Sequence, residues 1–168
     1  GVEYETGDLE NGSFAILSSM FLTSNSKYKK QELIKLFKLH GIGCSPFSGK
    51  NSFGLNMSFL SDKVPEAADI LESIIRTRAW NENDVQMEIK DALFALQGRK
   101  EHGWTQSSLH FKKIFFKNTP FENPADGTEA SISALKLDKI FELKNKFLTP
   151  ANMVVSIYGD LEISEVEK

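Results

Sequence analysis

"KKQELIKLFKLHGIGCSPFSGKNSFGLNMSFL", residues 29–60, carries a helical period and a strand period back to back. Leu33, Ile34, Leu36 and Phe37 recur at helical spacing among lysines, which predicts an amphipathic helix with these four facing inward. Gly41 follows the last turn, where a residue free to adopt positive φ can close a helix. The period then changes. Phe53, Leu55, Met57 and Phe59 alternate with Gly54, Asn56 and Ser58, as in a strand with one buried face. "GCSPFS" before it is a shorter, interrupted strand. Pro46 has no N–H to give a ladder, so it belongs near an edge or a bulge. Residues 49–51 make the hairpin turn. A helix running into a hairpin predicts an α+β fold, a mostly antiparallel sheet with helices packed on it.

Working outward, "VEYETG" (residues 2–7) has the pattern of a short strand. Asn11 and Ser13 are candidate caps for a helix with Phe14, Leu17 and Phe21 at i, i+3 and i+7 and Ile16 and Met20 beside them. Residues 24–26 break it. Downstream, Pro65 sits in the first turn of a helix that repeats Ala67, Ile70, Leu71, Ile74 and Ile75. Trp80 precedes a long helix, capped by Asn81 or Asn83, with Val85, Ile89, Leu93 and Leu96 on one stripe. Another amphipathic helix, around "WTQSSLHFKKIFF", leads to the loop "NTPFENPADGT". A last helix spans residues 137–147 and Pro150 ends it. "NMVVSIYGD" (residues 152–160) is a continuous apolar run, predicted to be a strand buried on both faces. The 168 residues suit one domain with a real core and show no internal repeat. Gly1 is not an initiator Met, so the chain is expected to be an excised piece of a longer protein.

Composition excludes several classes of function. Hydrophobic residues are 40% and charged residues 26%, ordinary for a soluble globular protein. A net charge of -3 is too small to point to nucleic acid or an anionic membrane surface. No apolar run reaches the roughly 18 residues of a membrane span, and the start has no signal-peptide pattern. The lone Cys44 excludes an internal disulfide and leaves periplasm and cytoplasm equally open. It is most simply a small strand hydrophobe. His40, His102 and His110 lack the close helical spacing of a zinc site and suit helix ends or the surface. Glu101 beside His102 is the one acid–base candidate. "GKNSFG" lacks phosphate-loop spacing, "GRKEHGW" suits a solvated helix end, and no G-x-S-x-G occurs. From the residues alone no active site emerges.

The order of phrases does resemble a family. "NGSFAILSSMFL", the helix–hairpin stretch, "RAWNENDVQMEIKDAL", "PFENPADGTEASISALKLDKIFEL" and "LTPANMVVSIYGD" follow one another as in the pitrilysin-type zinc peptidases, the family of insulin-degrading enzyme and mitochondrial processing peptidase. The resemblance covers nearly the whole chain and implies a single partial domain over 1–168, truncated at both ends of the family pattern. Active members carry H-x-x-E-H on the first long helix. Aligned on Met20, Phe21 and Leu22, the two histidine positions fall on Ala15 and Ser19 and the glutamate position on Ser18. The third ligand position falls at or beside Ala95. Alanine has no lone pair, and serine neither matches imidazole or carboxylate as a zinc ligand nor replaces the glutamate that deprotonates the zinc-bound water. The resemblance therefore implies a non-catalytic half with no metal of its own. It also implies zinc in a catalytic partner domain, in the same polypeptide or a second subunit, and a peptide substrate enclosed between the two. The strand pair that binds extended peptide in the family corresponds to residues 45–55, with Ser45, Phe47 and Ser48 as candidate contacts and Pro46 as a departure. The same residues can equally be only a hairpin of the sheet. A pure scaffold of this fold and an independent enzyme using His102 with Glu101 are the other readings.

Overall fold

A computed structural model describes residues 1–5, 10–77 and 80–160. Along the described chain run α1 (Ser13–Ser19), α2 (Lys30–His40), β1 (Gly43–Ser48), β2 (Phe53–Ser58), α3 (Val64–Ile75), α4 (Glu82–Arg99), α5 (Gly103–Phe115), α6 (Glu129–Ala134) and α7 (Leu137–Phe147). The fold is α+β, and among the described residues the sheet is the antiparallel hairpin β1–β2.

The core forms around α1. Phe14, Ile16 and Leu17 are all buried, as is Met20 just past the helix end, so this short helix is largely enclosed, as a central helix must be. Leu33 of α2, Ile70 and Ile74 of α3, Val85 and Ile89 of α4, Ile132 of α6, and Ile140 and Leu143 of α7 belong to the same cluster. The Phe14 ring lies 5.0 Å from Phe53 of β2 and 5.2 Å from Phe147 of α7, joining the hairpin to the last helix through aromatic contacts.

Local signals account for most elements. Gly41 closes α2 at φ 63, and Pro65 sits in the first turn of α3. The Asn81 side chain accepts from the Asp84 N–H at 2.7 Å and caps α4. In the hairpin, Gly49 N–H donates to Ser52 C=O at 2.8 Å and the register pairs Pro46 with Leu55. Antiparallel alternation from that closing bond turns the backbone groups of Cys44, Pro46 and Ser48 away from β2, so the missing N–H of Pro46 costs the ladder nothing.

Several expectations need correction. Ile34 is exposed, because it lies about 100° around the helix from Leu33 while Leu36 and Phe37 complete the inward row. Val2–Tyr4 is a 3-10 turn in place of a strand, and the rest of the strand expected over residues 2–7 lies largely outside the described residues. Residues 153–158 are no buried strand. They pair with no strand among the described residues and are exposed throughout, since burial on both faces needs a neighbouring layer on each side. Helix α6 was not expected. A short capping box nucleates it: Thr128 Oγ1 accepts from the Ser131 N–H at 3.1 Å while Ser131 Oγ accepts from the Thr128 N–H at 2.9 Å.

Neither Asn11 nor Ser13 caps α1. Its N-cap is Gly12 at φ 86, without a side-chain cap of its own. The buried Glu5 carboxylate takes that role from outside the helix, accepting from Gly12 N–H at 2.9 Å and Phe14 N–H at 3.0 Å. Asn11 Nδ2 donates to the same carboxylate at 3.1 Å and to Pro124 C=O at 2.9 Å, which ties the helix start to the loop before α6. Burial pushes the Glu5 carboxyl above its ordinary value, against the opposing pull of the Phe14, Gly12 and Asn11 donors. The two backbones touch here: a Cβ on Gly12 would stand 2.7 Å from Gly127 Cα, and one on Gly127 (φ 82) would stand 2.8 Å from Asn11 C=O. Only glycine meets both the positive φ and the contact. Glu5→Ala leaves two buried N–H groups without this acceptor. It should lower stability by about 2–3 kcal/mol, and thus the thermal midpoint by about 4–12 °C. A melting curve within about 1 °C of wild type would mean that water satisfies these donors.

Candidate functional site

Ala15, Ser18 and Ser19 lie on α1, where 3.6 residues per turn put Ala15 and Ser19 one turn apart on a half-buried face and turn Ser18 inward. Ser18 is 2% exposed. Its Oγ stands 2.8 Å from Phe14 C=O, one turn back, and 2.9 Å from Phe47 C=O on β1, with one proton to share between them. Ser19 Oγ donates to Ile16 C=O at 2.9 Å. Ala95 is exposed on α4, away from the buried row of Val85 and Ile89. These positions do not fit a zinc ion. Two are alanines, and both hydroxyls are engaged with backbone carbonyls. Among the described residues no cluster of three or more His, Cys, Asp or Glu could hold a metal ion.

The Ser18–Phe47 bond joins the motif helix to the strand with the candidate peptide contacts. Ser45 and Phe47 point to the exposed face of β1, while Ser48 points inward with its Oγ buried and unpartnered among the described residues. The structure thus puts two of the three candidates on one face and separates the third. Phe47 packs over Gly54, where a Cβ would come within 3.0 Å of its ring. Cys44 faces inward, and burial raises its thiol to about 11, which keeps it protonated and unreactive.

The histidines stay apart. His40 Nδ1 is 3.6 Å from Glu66 Oε1 at the end of α2, and His110 is exposed on α5. His102 and Glu101 are both exposed at the corner between α4 and α5. Glu5 escaped the sequence reading, because it caps a helix from eight residues upstream of that helix's first residue and no local spacing rule reaches so far.

Comparisons place this geometry. The family model described as Insulinase (Peptidase family M16) matches residues 1–129. The non-peptidase homolog YmxG of Helicobacter pylori is 29% identical over 115 residues, covering 68% of this chain and 26% of that protein. The uncharacterized zinc protease YmxG of Bacillus subtilis is 23% identical over 173 residues, covering 100% of this chain and 42% of that protein. Among solved structures, a protease from Helicobacter pylori superposes with a TM-score of 0.89 at 16% identity over 99% of this chain and 40% of that one. A peptidase M16 inactive domain from Pseudomonas fluorescens superposes with a TM-score of 0.74 at 14% identity, covering 86% and 35%. The chain therefore spans less than half the length of these relatives. With the family matched over 129 of its 168 residues and relatives that include a non-peptidase homolog and an M16 inactive domain, the chain belongs to the insulinase family of peptidases, M16, as a non-catalytic domain.

Proposed function

We propose that residues 1–168 are one partial domain that completes the peptide-enclosing chamber of a zinc-bearing M16 domain, in the same polypeptide or a partner subunit. The observation that carries this reading is Ser18. At the position of the catalytic glutamate a small hydroxyl binds helix α1 to strand β1, so the architecture is kept while the chemistry is given up. Support also comes from the hairpin. Ser45 and Phe47 are on an open face, and β1 turns the backbone groups of Cys44, Pro46 and Ser48 away from β2, without a strand partner among the described residues. An extended peptide can add to such an edge, with one donor fewer because of Pro46. Zinc and its water belong to the partner half.

A second reading, an interaction scaffold with no part in proteolysis, draws on the H. pylori relative, which is named a non-peptidase homolog. The parent protein, with its H-x-x-E-H half, separates the two in a fluorogenic peptide assay. Under the chamber reading it shows chelator-sensitive turnover, and Phe47→Ala raises KM about threefold or more with kcat little changed, as expected for a lost uniform contact. Absent turnover, or a KM indifferent to Phe47, would favour the scaffold.

A further inference from the structure

The chain has one Asn-Gly dipeptide, Asn11–Gly12, and one Asp-Gly dipeptide, Asp126–Gly127. The fold presses the two together, since a Cβ on Gly12 would stand 2.7 Å from Gly127 Cα. In an open chain such dipeptides rearrange readily, because a glycine nitrogen, with no Cβ beside it, reaches the preceding side-chain carbonyl with little hindrance. At Asn11 the reaction is a deamidation. The Gly12 nitrogen attacks Asn11 Cγ, a C–N bond forms, the proton of that nitrogen passes to the side-chain amide, and ammonia leaves a five-membered succinimide. Water then opens one of the two imide carbonyls to give aspartate or isoaspartate, and either product adds a negative charge.

The native junction opposes each step. Glu5 Oε2 accepts from the attacking Gly12 N–H at 2.9 Å and from the leaving Asn11 Nδ2 at 3.1 Å, and Pro124 C=O accepts from the same Nδ2 at 2.9 Å. Two acceptors on that end of the amide fix it as the NH2 group. Cyclisation would build negative charge on Asn11 Oδ1, which is buried and meets no donor among the described residues. Asn11 is 1% exposed, so the junction also shields an imide from water. Across the contact, Gly127 N–H donates to the same Pro124 C=O at 3.0 Å and Arg99 donates to Asp126 at 2.6 Å. The products do not fit. Aspartate at position 11 lacks the NH2 that bonds Glu5 and Pro124, and it sets a second carboxylate against the buried one, where two like charges cannot both ionise cheaply. Isoaspartate lengthens the backbone by a methylene where Gly12 and Gly127 leave no room.

We infer that Asn11 is a latent deamidation site. The folded chain holds it unreactive, an opened chain converts it, and the converted chain is barred from the native junction. The chemistry thereby turns a transient opening into a permanent loss of the fold. This proposal does not rest on the chamber reading.

The test follows the Asn11 peptide by mass spectrometry while the protein stands in mildly alkaline buffer, with and without urea. Conversion should be about tenfold or more faster in urea. On dilution from urea the unconverted chains should refold and the converted ones should not. Glu5→Ala opens the junction and should speed conversion in plain buffer about tenfold, whereas Leu33→Ala, a truncation in the core of α2, should leave it close to wild type. Asn11→Asp makes one product directly and should lower the thermal midpoint by about 5 °C or more, or prevent folding altogether. The rates are read on chains that keep Asn11, so they stand whatever that variant does. Conversion in buffer as fast as in urea would make Glu5 the base of the reaction and not its restraint, and would overturn the proposal. So would refolding of converted chains, equal rates for Glu5→Ala and Leu33→Ala, or a midpoint for Asn11→Asp within about 1 °C of wild type.

Discussion

Ala15→His, Ser18→Glu and Ser19→His together should yield a chain that cleaves no peptide, retains no zinc after dialysis and unfolds several kcal/mol more readily than wild type. Two imidazoles one turn apart on the half-buried face of α1 could point the same way, as the family motif requires. The remaining requirements fail. Ala95 offers no third ligand, and no acidic or imidazole cluster stands in for it among the described residues. Two ligands leave zinc weakly held. The glutamate is the more damaging change. Ser18 is 2% exposed and its hydroxyl donates to backbone carbonyls, so a carboxylate there would be desolvated and would face the Phe47 oxygen with no proton to offer. Burying such a charge costs several kcal/mol, of the order of the 5–15 kcal/mol that holds a domain of this size together. Elemental analysis, a fluorogenic peptide assay and denaturant unfolding check the three parts. One zinc per chain with chelator-sensitive turnover in the variant would sink this expectation, and the same result in the unmodified chain would overturn the non-catalytic assignment.

Ile70→Asp should lower stability by about 4 kcal/mol or more. Ile70 lies in the middle of α3, 2% exposed, with Ala67 and Ile74 buried one turn to either side. Pro65 starts the helix and Arg76 follows its end, so the register of that face cannot slide to bring the carboxylate out. No salt bridge in the described core offers it a cation. At about 2–4 °C per kcal/mol for this chain length, the thermal midpoint should fall by about 8 °C or more. Leu39→Asp is the control: Leu39 is 77% exposed on α2, and an exposed exchange should stay within about 0.5 kcal/mol. A midpoint for Ile70→Asp within about 2 °C of wild type would mean that this face of α3 meets solvent.

Periodicity in the chain was enough to determine α2, the β1–β2 hairpin, α3, α4 and α7, because each side-chain repeat is a property of one segment and needs no partner to be read. The family was legible in the order of local phrases, and that alanine and serine at 15, 18 and 19 make poor zinc ligands is a local fact whatever surrounds them. Tertiary structure settled everything that depends on what lies across from a residue. Ile34 belongs to the apolar stripe of α2 yet faces solvent, because a period shows which side is greasy and not how far the core reaches around it. Residues 153–158 look like a buried strand, but their run of apolar side chains carries no record of whether layers exist to cover them. Glu5 caps a helix that begins eight residues later, and Ser18 holds a strand 29 residues away. Bonds of that reach form only once hydrophobic burial has brought the segments together, so their partners are written in the packing and not in the neighbouring letters.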